Sequence, residues 1–432
     1  VGDFLGSTVQ IVPHVSNEIK NKIYEAAASS GADIVITEIG GTVGDIESAV
    51  MMESLRQFRL ETGRENSLFV HTTLVPYLFG SNELKTKPTQ NSIIELRRLG
   101  IQPDIIVTRA PLDLGDPVKK KISLFGSIPV ENIIEAKDVG NIYQIPINFH
   151  KQHIEDIILN QFSLPSGKSN LEHWENLIKA TESLKDEIEI ALVGKYVELE
   201  DAYLSVKEAL KAAGYKYHTK IKIKWVNSEE LENKNCNLKE VFKNSRGIIV
   251  PGGFGSRGIE GMINACEYAR ANKIPYLGIC LGMQIAVIEF ARHICALPDA
   301  SSREFDELCV NPVIDLMADQ KAIINKGGTL RLGNYKCKIT KGTLAYEDYK
   351  TEEILERHRH RYEFNNNYKE LLASKGMIFS GINPESNLVE IIELKDHPHF
   401  IACQFHPEFK SRPTRPHPLF DSFIKASIEN KK

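Results

Sequence analysis

Several things are missing from this 432-residue sequence, and each absence narrows what the chain can do. No apolar run is long enough to span a membrane, and no signal-peptide pattern opens the chain. The 7 cysteines (Cys236, Cys266, Cys280, Cys295, Cys309, Cys337 and Cys403) form no CxxC pair, which excludes the usual zinc and redox-dithiol patterns. An odd number of thiols without a secretory signal suits free cysteines in a reducing cytoplasm. There is little excess of charge: a net −4 implies neither a nucleic-acid partner nor a membrane surface. There is no internal repeat, no low-complexity tract and no G-x-x-x-x-G-K-[ST] phosphate loop. The chain begins Val1-Gly2-Asp3 without methionine, and the strand-like Thr8 to Val12 follows at once, as if the sequence entered the middle of a domain. Hydrophobic content of 42% and charged content of 25% fit a globular protein of two or three domains.

What is present is a thiol, an imidazole and a carboxylate in informative surroundings. Cys280 follows the apolar run Pro275-Tyr276-Leu277-Gly278-Ile279, which reads as a buried strand. Leu281 to Ile288 then read as a helix. A glycine-flanked turn from strand to helix places a nucleophile at a sharp elbow, where backbone N–H groups favour the thiolate. Far downstream, Gln404-Phe405-His406-Pro407-Glu408 supplies a base and a group to orient it. A third segment, Ile248-Ile249-Val250-Pro251-Gly252-Gly253-Phe254-Gly255, is a strand entering a turn whose backbone can approach an oxyanion. Each piece alone has a plainer reading, a buried cysteine or a His-Pro turn; the combination points to acyl transfer.

The first part alternates strands and helices. Asp33 to Thr37, Ser67 to His71 and Asp104 to Val107 are short β-branched strands, and Ile93, Ile94, Leu96 and Leu99 form a helical stripe. This pattern indicates α/β architecture with a mainly parallel sheet. A helix over His153 to Phe162 ends at Ser163-Leu164-Pro165-Ser166-Gly167, the best linker candidate. Leu171, Trp174, Leu177 and Ile178 share one face of a further helix, and a second α/β pattern opens at Ile188 to Val193. The expected organisation is a first domain over 1–164, a linker over 165–186 and a second domain over 187–432, each a three-layer, Rossmann-like α/β unit.

A second chemistry lies in the first domain. Glu38-Ile39-Gly40-Gly41-Thr42-Val43-Gly44-Asp45-Ile46-Glu47 follows the expected strand Ile34 to Thr37, and ligands of open parallel sheets bind beyond strand carboxyl ends. Glu38 stands where a carboxylate could hold Mg²⁺. Asp45 and Glu47 can accept hydrogen bonds from a base or a ribose. Lys85-Thr86-Lys87-Pro88-Thr89-Gln90 puts two lysines ahead of a helix, which suits a triphosphate. Lys121 closes the run Lys119-Lys120-Lys121. Alone, such loops are as readily solvated connections.

These residues carry a resemblance. P-G-G-F-G, G-I-C-L-G-M-Q and Q-F-H-P-E together resemble a class I glutamine amidotransferase domain over roughly residues 187 to 432. E-I-G-G-T-V-G-D-I-E, K-T-K-P-T-Q and A-K-D-V ahead of it resemble the CTP synthase family. The resemblance implies that a P-loop-type amidoligase domain phosphorylates UTP with Mg-ATP, and that ammonia released from glutamine then displaces the phosphate. It implies Cys280 as nucleophile, His406 as base and Glu408 as its orienting carboxylate. Gly253, Leu281, Gly282, Met283, Gln284, Glu304 and Arg361 become glutamine contacts. A guanidinium can fork onto the α-carboxylate, and Glu304 can pair with the α-ammonium. Alternation in Arg357-His358-Arg359-His360-Arg361 indicates a strand with its arginines on one face.

On the nucleotide side, the resemblance implies Glu38 as a magnesium ligand. Asp45, Ile46, Glu47, Lys85, Thr86, Lys87, Pro88, Thr89, Gln90 and Lys121 become UTP or CTP contacts, and Lys137, Asp138 and Val139 ATP contacts. It also implies GTP as activator, CTP as feedback inhibitor, a cytoplasmic homotetramer, and filaments in some members. The loop Gly327-Gly328-Thr329-Leu330-Arg331 is a candidate cover for the glutamine site. The family's glycine-rich phosphate loop and a following acidic magnesium ligand are not found here, so an incomplete ATP site and first sheet are expected. Two alternatives follow: a glutaminase feeding another acceptor, which leaves K-T-K-P-T-Q and G-D-I-E without a role, and an assembly or regulatory subunit that keeps nucleotide-dependent oligomerisation without synthesis.

Overall fold

The computed structural model describes residue 6, residues 8–316 and residues 330–430. Its contacts divide it into two units, Val1–Ile178 and Lys179–Lys432, with the division inside the helix Glu172–Glu182. Residues 164–171 ahead of that helix have no regular structure, as their proline, glycine and serines favour.

In the first unit, three parallel strands lie in the order Val70–Leu74, Ile105–Ala110, Ile133–Lys137. The middle strand, Ile-Ile-Val-Thr-Arg-Ala, is buried on both faces except at Arg109, the mark of a parallel strand covered by helices. On one face Ile106 and Ile133 meet Ile93 and Ile122 of the helices Lys87–Arg98 and Gly115–Gly126. On the other, Ile105, Val107 and Ile134 meet Phe149, Ile154 and Ile158. Ile106 is fully buried, so truncation to alanine there costs about 2–5 kcal/mol.

Two expected strands are not formed. Asp33 to Thr37 forms no strand, with a bend at Asp33 and Ile34, and Ile36 is 92% exposed. β-Branched residues favour a strand only where a neighbour completes the ladder, and no strand among the described residues lies beside this one. Thr8 to Val12 likewise gives way to a helical turn, Ile11–Val15. The strands expected at Ser67 and Asp104 form slightly later, at Val70–Leu74 and Ile105–Ala110.

The second unit is built on a nine-stranded sheet. Thr219–Asn227, Asp186–Gly194, Ser245–Val250, Tyr276–Ile279 and Phe400–Cys403 run parallel. Val389–Leu394, Met377–Ile382, Arg331–Ile339 and Glu353–His360 continue it antiparallel. Helices Ile259–Ala271 and Leu281–His293 cover one face; Leu204–Lys216 and Pro418–Glu429 cover the other. The central parallel strands Ser245–Val250, Tyr276–Ile279 and Phe400–Cys403 are largely buried runs, whereas the edge strand Thr219–Asn227 alternates with lysines; the parallel carboxyl ends form one rim, where open sheets place their ligands.

Candidate active site

Cys280 sits at that rim, directly after the strand Tyr276–Ile279 and at the start of the helix Leu281–His293. Its backbone is at φ 52°, ψ −100°, a conformation that costs a non-glycine residue of order 1–3 kcal/mol. The surroundings hold it there. The amide of Cys280 donates to the carbonyl of Cys403 at 2.7 Å, and the amides of Met283 and Gln284 donate to the Cys280 carbonyl. The flanking glycines are needed for approach. A Cβ on Gly282 would lie 2.0 Å from the Val250 carbonyl oxygen, and one on Gly278 would lie 2.6 Å from the Gly282 oxygen.

The strand Phe400–Cys403 lies parallel to Tyr276–Ile279, and three residues later the chain delivers His406 to the elbow. The His406 amide is fixed by the Arg357 carbonyl at 2.8 Å, and its ring stacks on Phe409. Nδ1 meets Glu408 Oε1 at 2.8 Å. A Cβ on Gly252 would come within 2.9 Å of His406 Cε1 and 3.6 Å of Cys280 Cβ, so the imidazole, the thiol and the glycine turn share one small space. Burial disfavours the imidazolium, but the Cys280 sulfur and the Glu408 carboxylate outweigh it and push His406 up to about 10. The thiol, the imidazole and the carboxylate thus lie together, the three kinds of group that nucleophilic catalysis uses.

A cleft of about 40 Å³ opens beside the sulfur, lined by Gly253, Leu281, Gln284, Glu304, Arg361 and Tyr362. Glu304 Oε1 accepts from the Gly255 amide at 2.9 Å. Arg357 and Arg359 share the exposed face of the strand Glu353–His360, as the alternation indicated, while Arg361 falls just past the strand's end and reaches the cleft. Leu330 also lines the cleft, whereas Arg331 is a buried core residue; Gly327, Gly328 and Thr329 lie outside the described residues.

Some contributors were not singled out from the sequence. Gln404, the first residue of Q-F-H-P-E, places Nε2 3.6 Å from Cys280 Sγ. Gln284 Nε2 donates to the Tyr362 carbonyl at 3.1 Å and to Gln404 Oε1 at 3.3 Å. Lys195, at the end of the strand Asp186–Gly194, threads under the glycine turn and donates to the carbonyls of Phe254 (3.1 Å) and Gly255. Burial lowers it to about 8. A lysine at a strand's carboxyl end was its only signal.

The nucleotide candidates are dispersed over the first unit. Glu38, Asp45, Ile46 and Glu47 are exposed, and Asp45 accepts from the Thr42 amide at 3.2 Å. Gly44 approaches Glu95 of the helix Lys87–Arg98, so this loop runs beside the helix that K-T-K-P-T-Q begins. Within that segment Thr86, Thr89 and Gln90 are buried. Thr89 Oγ1 donates to the Leu74 carbonyl at 3.0 Å, and Gln90 Nε2 donates to Thr86 Oγ1 at 2.9 Å. Lys87 and Pro88 are exposed and Lys85, half-buried, pairs with Glu83, whose charge Lys121 also reaches. Lys137 and Asp138 close the strand Ile133–Lys137, paired with Asp113 at 2.8 Å and Arg109 at 2.9 Å; Val139 is half-buried. Among the described residues Glu38 belongs to no group of three metal-ligating side chains.

A cysteine at a strand–helix elbow, with a His–Glu pair in the turn after the neighbouring strand, is the arrangement of a class I glutamine amidotransferase. The family model described as "Glutamine amidotransferase class-I" matches residues 198–426, and the one described as "CTP synthase N-terminus" matches residues 1–164. The chain is 56% identical over 430 residues to a CTP synthase of Caldanaerobacter subterraneus, covering 100% of this chain and 80% of that protein. It is 52% identical over 428 residues to the CTP synthase of Bacillus subtilis, covering 99% of this chain and 80% of that one. A solved structure, the glutaminase domain of the Trypanosoma brucei enzyme with bound acivicin, is 37% identical, with a TM-score of 0.53 over 57% of this chain and 95% of its own. The chain belongs to the CTP synthase family. Its activity is the glutamine-dependent, ATP-dependent conversion of UTP to CTP, divided between an amidoligase and a glutaminase domain.

Proposed function

We propose that Cys280, His406 and Glu408 carry the glutaminase half of this reaction. The observation that supports this most is the convergence of the Cys280 elbow and the His406–Glu408 pair on Gly252. Cys280 Sγ attacks the side-chain carbonyl of glutamine with its proton held on His406. The proton then goes to the departing nitrogen, ammonia leaves and a glutamyl thioester remains. His406 next takes a proton from water, which cleaves the thioester to glutamate and restores the thiol. Backbone N–H groups at Gly253 and at the start of the helix Leu281–His293 face the developing oxyanion. Arg361 forks onto the α-carboxylate, and Glu304 takes the α-ammonium once it exchanges the Gly255 amide for substrate.

In the first unit Asp45, Ile46, Glu47, Lys85, Lys87 and Lys121 bind the pyrimidine nucleotide, UTP or inhibitory CTP. Lys137, Asp138 and Val139 border ATP. Thr86, Thr89 and Gln90 serve this site by fixing the start of the helix Lys87–Arg98, since their side chains are bonded inward. Glu38 is an exposed single carboxylate, which fits Mg²⁺ that takes its other ligands from phosphate and water. GTP activation, a homotetramer and a cytoplasmic site of action follow from family membership. The test is glutamate release by the unsubstituted chain and by Cys280→Ala. Release that persists in Cys280→Ala would remove the thiol from the mechanism. CTP formation from ammonium chloride, assayed in parallel, reports the amidoligase alone.

A further inference from the structure

Behind the glutamine cleft, five buried side chains close a ring. Arg331 Nη1 lies 3.3 Å from Glu363 Oε1, and His360 Nδ1 lies 3.4 Å from that same oxygen. His360 Nε2 meets His358 Nδ1 at 2.7 Å. His358 Nε2 faces Glu390 Oε2 at 3.4 Å, and Glu390 Oε1 lies 2.8 Å from Arg331 Nη2. All five residues are at most 6% exposed. The ring is not remote, because His360 lines the cleft beside Cys280. The chain leaving His360 runs straight into Arg361 and Tyr362. The Tyr362 carbonyl accepts from both His360 Nδ1 at 3.3 Å and Gln284 Nε2 at 3.1 Å.

Proton placement around the ring is determined by its acceptors. A carbonyl oxygen can only accept, so His360 Nδ1 carries hydrogen. If His360 is neutral, its Nε2 is a lone pair, and His358 Nδ1 must donate to it. The remaining nitrogen of a neutral His358, Nε2, is then a lone pair pointing at Glu390. A lone pair facing a carboxylate is repulsive, whereas a carboxylic acid donates to it. Burial, with Arg331 nearby, drives both histidines strongly toward the neutral form. Burial raises Glu390 to about 7, although Arg331 opposes this. Arg331 and Glu363 balance in charge, so the ring is neutral when Glu390 holds its proton.

We propose that Glu390 is a positioning residue for glutamine: as a neutral acid it closes this ring and, through His358 and His360, holds the Arg361–Tyr362 corner that receives the substrate's α-carboxylate. This rests on the glutaminase reading above. Glu390 sits in the strand Val389–Leu394, and among the described residues the charged or titratable groups beside it are Arg331, His358 and the Cys337 thiol, which burial and the Glu390 charge push up. His406 also acts on both histidines by its charge. None of these offers His358 Nε2 a second donor, and His358 Nε2 has no hydrogen bond among the described residues. When Glu390 loses its proton, the ring gains a negative charge opposite a lone pair and the corner loosens.

The test is glutamine protection of Cys280 against iodoacetamide, with KM and kcat for glutamate release, from about pH 6 to about pH 8.5, in the unsubstituted protein, Glu390→Gln and Glu390→Leu. Alkylation without glutamine reports the thiol alone and should be alike in all three. Between these limits the unsubstituted protein should weaken in glutamine affinity about fivefold or more. Glu390→Gln supplies a permanent N–H toward His358 and an oxygen toward Arg331, so it should hold its low-pH affinity within about twofold. Glu390→Leu should bind glutamine weakly at every pH. A Glu390→Gln protein that follows the unsubstituted pH curve overturns the proposal, whether or not Glu390→Leu folds. An unsubstituted protein whose Cys280 glutamine does not protect, and which releases no glutamate, instead overturns the glutaminase reading and takes this proposal with it.

Discussion

Nδ1 of His406 lies 2.8 Å from Oε1 of Glu408, two residues further along the chain and across the proline turn Pro407–Phe409. The short spacing means that one turn sets both the base and its orienting partner. It also orients the ring. With Nδ1–H committed to the carboxylate, Nε2 is the nitrogen left to serve the Cys280 thiol, and it has no other hydrogen bond among the described residues. Replacing His406 by asparagine should lower kcat for glutamate release by about 10³-fold or more. Glu408→Gln keeps the shape but offers the ring no carboxylate, and should cost about 10–100-fold. Ammonium-dependent CTP formation, wherever it is measurable, should change little in either variant.

The pH dependence of Cys280 alkylation should not show an ordinary histidine step. With His406 raised to about 10 by Cys280 and Glu408 against the effect of burial, the imidazolium persists through neutrality beside the Cys280 sulfur. The stabilisation it provides is full below the ordinary histidine value and is lost only as pH rises through about 10. Iodoacetamide rates should therefore show no step near the ordinary histidine value, and should fall in His406→Asn, which has no imidazolium beside the sulfur. A step near pH 6.5 in the unsubstituted protein would contradict the assignment.

Two glycine substitutions should separate catalysis from folding. A Cβ at Gly252 would press on His406 Cε1, which is one edge of a side chain, so Gly252→Ala should fold and lose about tenfold or more in kcat. A Cβ at Gly282 would strike the Val250 carbonyl oxygen, which is rigid backbone, so Gly282→Ala should lower thermal stability markedly, by an overpacking cost of about 1–3 kcal/mol or more. Thermal melts alongside the glutaminase assay check both.

Arg361→Lys retains charge but not the fork, and should raise KM for glutamine about tenfold while leaving kcat within a few-fold. Glu304→Gln should behave alike through the substrate's α-ammonium. In both variants Cys280 alkylation without glutamine should be unchanged, since the change falls on groups assigned to the substrate's α-carboxylate and α-ammonium and not on the sulfur. Steady-state glutamate release and alkylation rates distinguish a lost contact from a disturbed nucleophile.

Part of the second unit was legible in the sequence because Cys280 sits at a strand end. Cys280 stands after an apolar run that reads as a buried strand, and the glycines around it mark close backbone approach. Glu408, two residues after His406, needed no topology. By contrast Lys195, Gln404 and the Arg331–Glu390 ring depend on which strands become neighbours, and nothing local signals that Arg331 and Glu390 face one another. The first unit shows the opposite failure. Ile34, Val35 and Ile36 have strong strand propensity, yet a strand is a property of a pair. Thr89 and Gln90 matched a phosphate-binding segment by type, but their polar atoms are bonded inside the unit. Burial decides between contact and support, and residue type alone does not.

The account turns on a glutamyl thioester at Cys280. Rapid acid quench of the chain with glutamine, followed by intact mass and peptide mapping, measures it most directly. A glutamyl adduct on the peptide carrying Cys280, absent in Cys280→Ala and accumulating in a variant slowed at His406, is the result expected. Glutamate release without any adduct at Cys280, or with the adduct on another cysteine, would contradict it.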